Sequence, residues 1–239
     1  MMYQGVLDRT VAELKARPDV LAILWCGSSA TDQMGPTSDI DLHVLVEGEL
    51  RQRLTKRLDG IQVEIFFNPP TNIPIYWDRD ERGQTLTMFA QGKILYDPRG
   101  ILAGLQKEAQ TRYDAGPQAQ TEDEIARARF LIQDAFDDAA DALAAGSPIA
   151  FVVLHQVFEL LMTQYYRMQR RWQPKTKRLL SDLNRRDGTL YELARRFLEE
   201  LGAQRKYILL KEMAAYILEP VGGLSVEYTS VPDRFEGGG

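Results

Sequence analysis

The chain is 239 residues long, with 44% hydrophobic and 26% charged residues and a net charge of −5. That size and balance suit a globular protein of one large or two small domains, and the acidic surplus speaks against a general nucleic-acid binder, which neutralises phosphates with a broad basic surface. One cysteine and two histidines exclude a disulfide framework or a thiolate zinc site and leave little material for a Ser-His-Asp centre.

No apolar run reaches the length of a bilayer and no leader pattern opens the chain, so a cytoplasmic protein is expected. Taken in order, Val6, Leu7, Val11 and Leu14 recur at helical spacing and predict a helix over 4–17, ended by Pro18-Asp19. Val20–Trp25 is almost wholly apolar, as in a strand covered on both faces, and Cys26 beside it reads as a packed, inert thiol. Gly27 permits a sharp turn and close approach of a ligand. Ser28 and Ser29 add hydroxyls and backbone N–H groups at the start of a short helical turn, a setting that favours anions.

After a loop around Gly35-Pro36, a second strand spans about 39–46 and carries Asp39 and Asp41. Residues i and i+2 of a strand share a face, so the two carboxylates stand side by side while Ile40, Leu42, Val44 and Val46 face a core. Neighbouring carboxylates repel unless a positive charge lies between them, and a hard divalent cation that shares its oxygen ligands with substrate phosphates meets that need. His43 is on the acid face, either lining a cleft or packing beside it.

Segment 49–58 suits a helix or one arm of a charged hairpin turning at Asp59-Gly60. Ile61–Phe67 is a third strand in which Glu64 is the one acidic residue. Either the strand lies at an edge with Gln62 and Glu64 facing water, or Glu64 is paired or metal-bound, because an isolated buried carboxylate is costly. A loop at 70–74, a helix over 78–91 with Leu86, Phe89 and Ala90 inward, a short strand Lys93–Tyr96, a helix over 99–112 and a linker at 114–120 follow. From Thr121 the pattern is helical throughout, opened by a capping box with Glu124. Helices are expected up to Gly146 and over 149–171, 176–185, 188–201 and 204–218, with short connections that suggest an antiparallel bundle. Residues 1–113 and 121–220 are thus expected as two domains, with a mobile glycine-rich tail over 221–239.

Gly27-Ser28, ten intervening residues, Asp39-Ile40-Asp41-Leu42 and the later Val63-Glu64-Ile65 together resemble the DNA polymerase β-like nucleotidyltransferase superfamily. The organisation is similar to its antibiotic-modifying branch, the kanamycin- and streptomycin-type enzymes, which join such a domain to a helical bundle. The motif resemblance covers residues 20–97. It implies an α+β fold, a mixed β-sheet with flanking helices followed by an all-α bundle. It also implies Mg2+-dependent transfer of a nucleoside monophosphate from a triphosphate, ATP in the first place, to a hydroxyl of a small, aminoglycoside-like acceptor, with pyrophosphate leaving. Asp39 and Asp41 would hold two metal ions, with Glu64 completing the site that activates the hydroxyl. Many members have Asp at that third position. Gly27 and Ser28 would hold the β- and γ-phosphates.

In the helical part, the run from Arg167 through Arg178 is either a solvated face or a triphosphate clamp acting through Lys175 or Lys177. Glu159 is either a general base or a structural partner of His155, with Asp78, Asp80 and Glu81 as rival bases. Two other classes remain: a nucleotide-binding protein that modifies nothing, and transfer to a protein or RNA acceptor.

Overall fold

The computed structural model describes residues 2–27, 29–30, 38–80 and 82–232. The chain forms two compact units, residues 1–116 and 117–239. The first is built on five strands: β1 (Val20–Cys26), β2 (Ile40–Val46), β3 (Gln52–Leu58), β4 (Ile61–Asn68) and β5 (Lys93–Tyr96). Their order in the sheet is β3-β4-β2-β1-β5, with β2 and β4 parallel and the other pairs antiparallel. The sheet is therefore mixed.

Segment 49–58 resolves in favour of the hairpin arm. Asp59 and Gly60 both adopt positive φ, 49° and 80°, and close a tight turn between β3 and β4. Two successive left-handed residues match the twist of an antiparallel pair, and Asp-Gly supplies them at low cost. Helix α1 (Met2–Lys15) packs Val6, Leu7 and Leu14 against one sheet face, over Ile23, Ile40, Leu42, Val44, Val63 and Ile65. The apolar alternation of β2 and β4 thus points at α1.

Residues 70–74, read from the sequence as a loop, are partly helical. A 3-10 turn at Pro70–Asn72 runs into α2 (Ile73–Arg79), with Pro74 tolerated in its first turn. The predicted helix over 78–91 is in fact two, because Gly83 in a left-handed conformation separates α2 from α3 (Gln84–Gln91). Leu86, Phe89 and Ala90 of α3 are buried. Phe89 lies against His43 at 4.9 Å between ring centroids and against Trp77 at 5.6 Å. Helix α4 (Ile101–Ala115) completes this unit, and its Gln106 amide holds the carbonyls of Phe89 and Gly92.

The second unit contains α5 (Glu122–Ala144), α6 (Ala150–Met168), α7 (Leu179–Arg186), α8 (Gly188–Glu199) and α9 (Ala203–Leu218). Both halves of the Thr121–Glu124 capping box are formed, at 3.2 and 2.8 Å. The core gathers Phe136, Leu154, Leu161, Phe197, Leu210 and Met213. Polar pins link its helices: the Tyr166 hydroxyl donates to Asp182 at 2.9 Å, and Tyr165 and Tyr216 both donate to Asp187, whose carboxylate also caps α8. Arg129 of α5 holds the carbonyls of Gly222 and Gly223, and Tyr228 stacks on Phe130 while donating to Asp123. Among the described residues, no helix is long and apolar enough to cross a membrane.

His43 is buried between Phe66 and Phe89, and its Nδ1 has no hydrogen-bond partner. Burial lowers its pKa from 6.5 to about 4. A folded-state pKa below the unfolded one means that the unfolded chain binds the extra proton, so stability falls as pH drops from 6.5 towards 4. Denaturant titrations of wild type and His43→Leu at pH 7 and 4.5 should therefore diverge, the variant losing about 2 kcal/mol less on acidification. Parallel pH dependences for the two proteins would show that His43 is not the group responsible.

Candidate active site

The face of the sheet away from α1 is covered at one end by α3, where Phe66 and His43 lie, and carries acids at the other. The parallel register places Asp41 opposite Glu64, with Ile40 opposite Val63 and His43 opposite Phe66. The antiparallel register of the outer hairpin then sets Thr55 opposite Glu64, Arg57 opposite Gln62 and Arg53 opposite Phe66. Directly paired residues point to the same face, so cross-sheet rows form. One runs Thr55, Glu64, Asp41, Cys26; the next brings together Arg57, Gln62 and Asp39. The row beneath them, Arg53, Phe66, His43 and Leu24, leads into the part covered by α3. His43 thus packs beside the acids as part of their floor.

Gln62 joins the carboxylates. Its amide nitrogen lies 3.4 Å from Asp39 Oδ2 and 3.2 Å from Glu64 Oε1. Glu64, with its side chain 15% exposed, accepts from Arg53 Nη2 through both oxygens, at 3.0 and 2.8 Å, and Arg53 also lies over the Phe66 ring. The Tyr3 hydroxyl donates to the backbone carbonyl of Asp39 at 3.0 Å and so ties the entry of β2 to α1. Burial pushes the pKa of Tyr3 up, and the nearby charges of Asp41 and Asp39 add to the rise.

Gly27 follows β1 directly and adopts φ +79°. A Cβ built there would lie 2.0 Å from Asp41 Oδ2 and 3.0 Å from its Cγ. The turn therefore needs glycine twice over, for its backbone conformation and for the room that the Asp41 carboxylate occupies. Ser29 is buried and its hydroxyl accepts from Trp25 Nε1 at 3.0 Å, which anchors the first turn of the loop after β1. Ser28 and Glu81, singled out from the sequence, lie outside the described residues.

Asp39, Asp41 and Glu64 are hard oxygen donors on one sheet face. Among the described residues, no three His, Cys, Asp or Glu side chains converge closely enough to form a metal cage by themselves. The Glu64 carboxylate is instead held by Arg53 and Gln62. A small divalent cation does not require such a cage, because Mg2+ is commonly held by one or two carboxylates together with substrate phosphates. The pair Asp39 and Asp41 fits that description.

The remaining candidates fall elsewhere. Asp78 is ion-paired with Arg112 at 2.7 Å, and Asp80 accepts from the Thr85 backbone N–H at 2.6 Å, which ties it to the start of α3. Glu159, Lys175 and Lys177 belong to the second unit. Glu159 is half-buried on α6, and the structural pairing with His155 is not formed, because His155 Nδ1 instead meets the Phe151 carbonyl at 2.7 Å. Lys175 and Lys177 are exposed around the 3-10 turn before α7. Sequence reasoning missed Tyr3, Arg53 and Arg57. Only the alternation of the outer strand could have flagged the two arginines, once that strand was assigned.

Residues 7–130 match the family model described as the nucleotidyltransferase domain. The chain belongs to that family. Its fold is similar to that of a nucleotidyltransferase-like protein from Exiguobacterium sibiricum 255-15, with a TM-score of 0.53 at 16% identity, over 89% of this chain and 73% of that one. No curated protein matches the chain. Nucleotidyltransferase domains work with a nucleoside triphosphate and a divalent metal ion, which agrees with the donor set on β2.

The close approach of Gly27 to Asp41 has a measurable consequence. Gly27→Ala should destabilise the fold by more than the roughly 1–2 kcal/mol of a left-handed alanine, because the carboxylate is also displaced. In the double variant with Asp41→Ala the excess should vanish, leaving the backbone part. Strictly additive effects in a denaturation cycle would show that the contact is not the constraint.

Proposed function

We propose that this nucleotidyltransferase moves a nucleoside monophosphate, from ATP in the first place, to a hydroxyl of a small molecule with release of pyrophosphate. The observation that carries the proposal is the register of β2 against β4, which lines up Asp41 with Glu64 beside Asp39 while Gly27 closes on Asp41 from the other side. Asp39 and Asp41 would hold Mg2+, with Glu64 as a further ligand once it leaves Arg53. When bound, the metal neutralises charge on the attacking and leaving oxygens. The chain's own part is positioning. Gln62 spaces Asp39 from Glu64, Tyr3 fixes the backbone of Asp39, and Gly27 together with Ser28 would receive the β- and γ-phosphates. Such transfer depends on alignment and charge neutralisation more than on covalent chemistry.

We assign the remaining roles on residue chemistry alone. Glu159 is the proposed base for the acceptor hydroxyl, favoured over Asp78 and Asp80 because those two already have structural partners. Lys175 or Lys177 is the proposed triphosphate contact. The antibiotic-modifying branch is supported by the order of an α+β unit before a helical one, and its aminoglycoside acceptors are therefore one arm of the assay.

The test is incubation with Mg2+, each α-labelled triphosphate and a panel of hydroxyl acceptors. Asp39→Ala and Asp41→Ala should each lower transfer by about a thousandfold or more while retaining the wild-type circular dichroism and melting behaviour. Full activity in either variant would sink the assignment. Label found on tRNA or on a co-expressed protein instead would move the acceptor out of the small-molecule class. Of Lys175→Gln and Lys177→Gln, the one that contacts phosphate should raise KM for the triphosphate about tenfold with little change in kcat.

A further inference from the structure

The outer strand β3 presents an unusual set of side chains to the acid face. Arg53, Thr55 and Arg57 alternate with Gln52, Leu54 and Lys56, so two guanidiniums and a hydroxyl share the face of Gln62 and Glu64, and Arg51 immediately before the strand adds a third guanidinium. The assignment of faces is checked independently by Lys56, which is paired across to Val63 and reaches Glu13 of α1 on the opposite side. Two of the three guanidiniums are already engaged. Arg51 lies over the Tyr76 ring, and Arg53 lies over Phe66 and binds Glu64. Arg57 is exposed and, among the described residues, has no ion-pair or hydrogen-bond partner. It stands in the row of Gln62 and Asp39, two strands from the acid pair.

We infer that Arg57 binds an anionic group, carboxylate or phosphate, on the acceptor. The inference rests on the nucleotidyl-transfer reading and names its acceptor class. If the phosphates lie at Gly27, next to β1, an attacking hydroxyl aligned opposite the leaving pyrophosphate arrives from the other flank of Asp39 and Asp41, over β4 and β3. Along that approach Glu64 is matched by Arg53 and Arg51 is stacked on Tyr76, so among the described residues Arg57 is the guanidinium of this set with neither an acidic nor an aromatic partner. A guanidinium presents a planar fork that suits carboxylate and phosphate. A polycationic acceptor would instead meet the uncompensated charge of Arg57, which costs binding. The span is also set: two strand spacings amount to about 10 Å, less the reach of the arginine. The acceptor's hydroxyl and its anionic group are therefore separated by roughly one sugar ring. D-glucose 6-phosphate and D-glucuronate have that form and distinguish the two anion types.

The test is calorimetry on the full chain with Mg2+, in the presence and absence of α,β-methylene-ATP, using D-glucose 6-phosphate, D-glucuronate, D-glucose and kanamycin as probes. At least one anionic probe should bind at least tenfold more tightly than both glucose and kanamycin, and Arg57→Gln should lose that preference while Arg57→Lys retains part of it. Kanamycin binding as tightly as the anionic probes, no preference for either anion over glucose, or a preference untouched by Arg57→Gln would each overturn the inference. The wild-type affinity for the ATP analogue is measured in the same series. An analogue that binds while the anion preference is missing removes the acceptor inference and leaves nucleotidyl transfer standing. An analogue that does not bind, with the anion preference intact, removes nucleotidyl transfer and leaves Arg57 as an anion site.

Discussion

The parallel pairing of β2 with β4 is the constraint on which the rest of the site depends. Side chains alternate along both strands, so the pairing that buries Ile40, Leu42, Val63 and Ile65 under α1 also brings Asp41 to Glu64 on the opposite face. A slip of one residue would turn Glu64 and Gln62 into the core and expose Val63 and Ile65. The apolar face thereby enforces the polar one. Nothing has to attract the carboxylates to each other. They are held near one another by the packing beneath them, and their repulsion is relieved locally by Gln62 and Arg53.

The closing elements serve the same geometry from other directions. Gly27 gives up a side chain so that Asp41 can occupy the space beside the turn. Tyr3, from the helix under the sheet, holds the carbonyl of Asp39 where β2 begins. His43 and Phe66 close the floor of the site and separate it from the interior below α3. In the second unit, ordering relies on polar pins as well as apolar packing. Asp187 serves Tyr165, Tyr216 and the α8 backbone at once, and a group with so many partners specifies one arrangement of helices more sharply than the surrounding leucines can.

How much of this was legible in the sequence can be judged residue by residue. The Asp39 and Asp41 strand, the Glu64 strand and the capping box at Thr121 follow from period and local chemistry, and the structure forms all three. The break between α2 and α3 was missed because residues 78–85 are polar apart from Gly83 and carry no apolar spacing whose interruption would mark it, and only the left-handed backbone of Gly83 reveals the break. Segment 49–58 was ambiguous because a sheet-edge strand with many arginines lacks the apolar alternation that marks a covered strand. That ambiguity hid Arg53 and Arg57, since a guanidinium can be placed relative to Glu64 only after the hairpin register is known. The contact of Gly27 with Asp41 was beyond any local pattern, because it joins residues that neighbour each other only through the pairing of β1 and β2.

The charged outer strand has another effect, on how molecules of this protein meet one another. β3 is an edge, and an unpaired edge offers its backbone N–H and C=O groups to any strand that approaches. Arg53, Lys56 and Arg57 give that edge positive charges on both faces, so two such edges repel before their backbones can pair. Replacing these cations with neutral residues to change substrate preference would also remove a safeguard against self-association. The strand proposed to select the acceptor thus also protects one of the sheet's two edges, the other being β5.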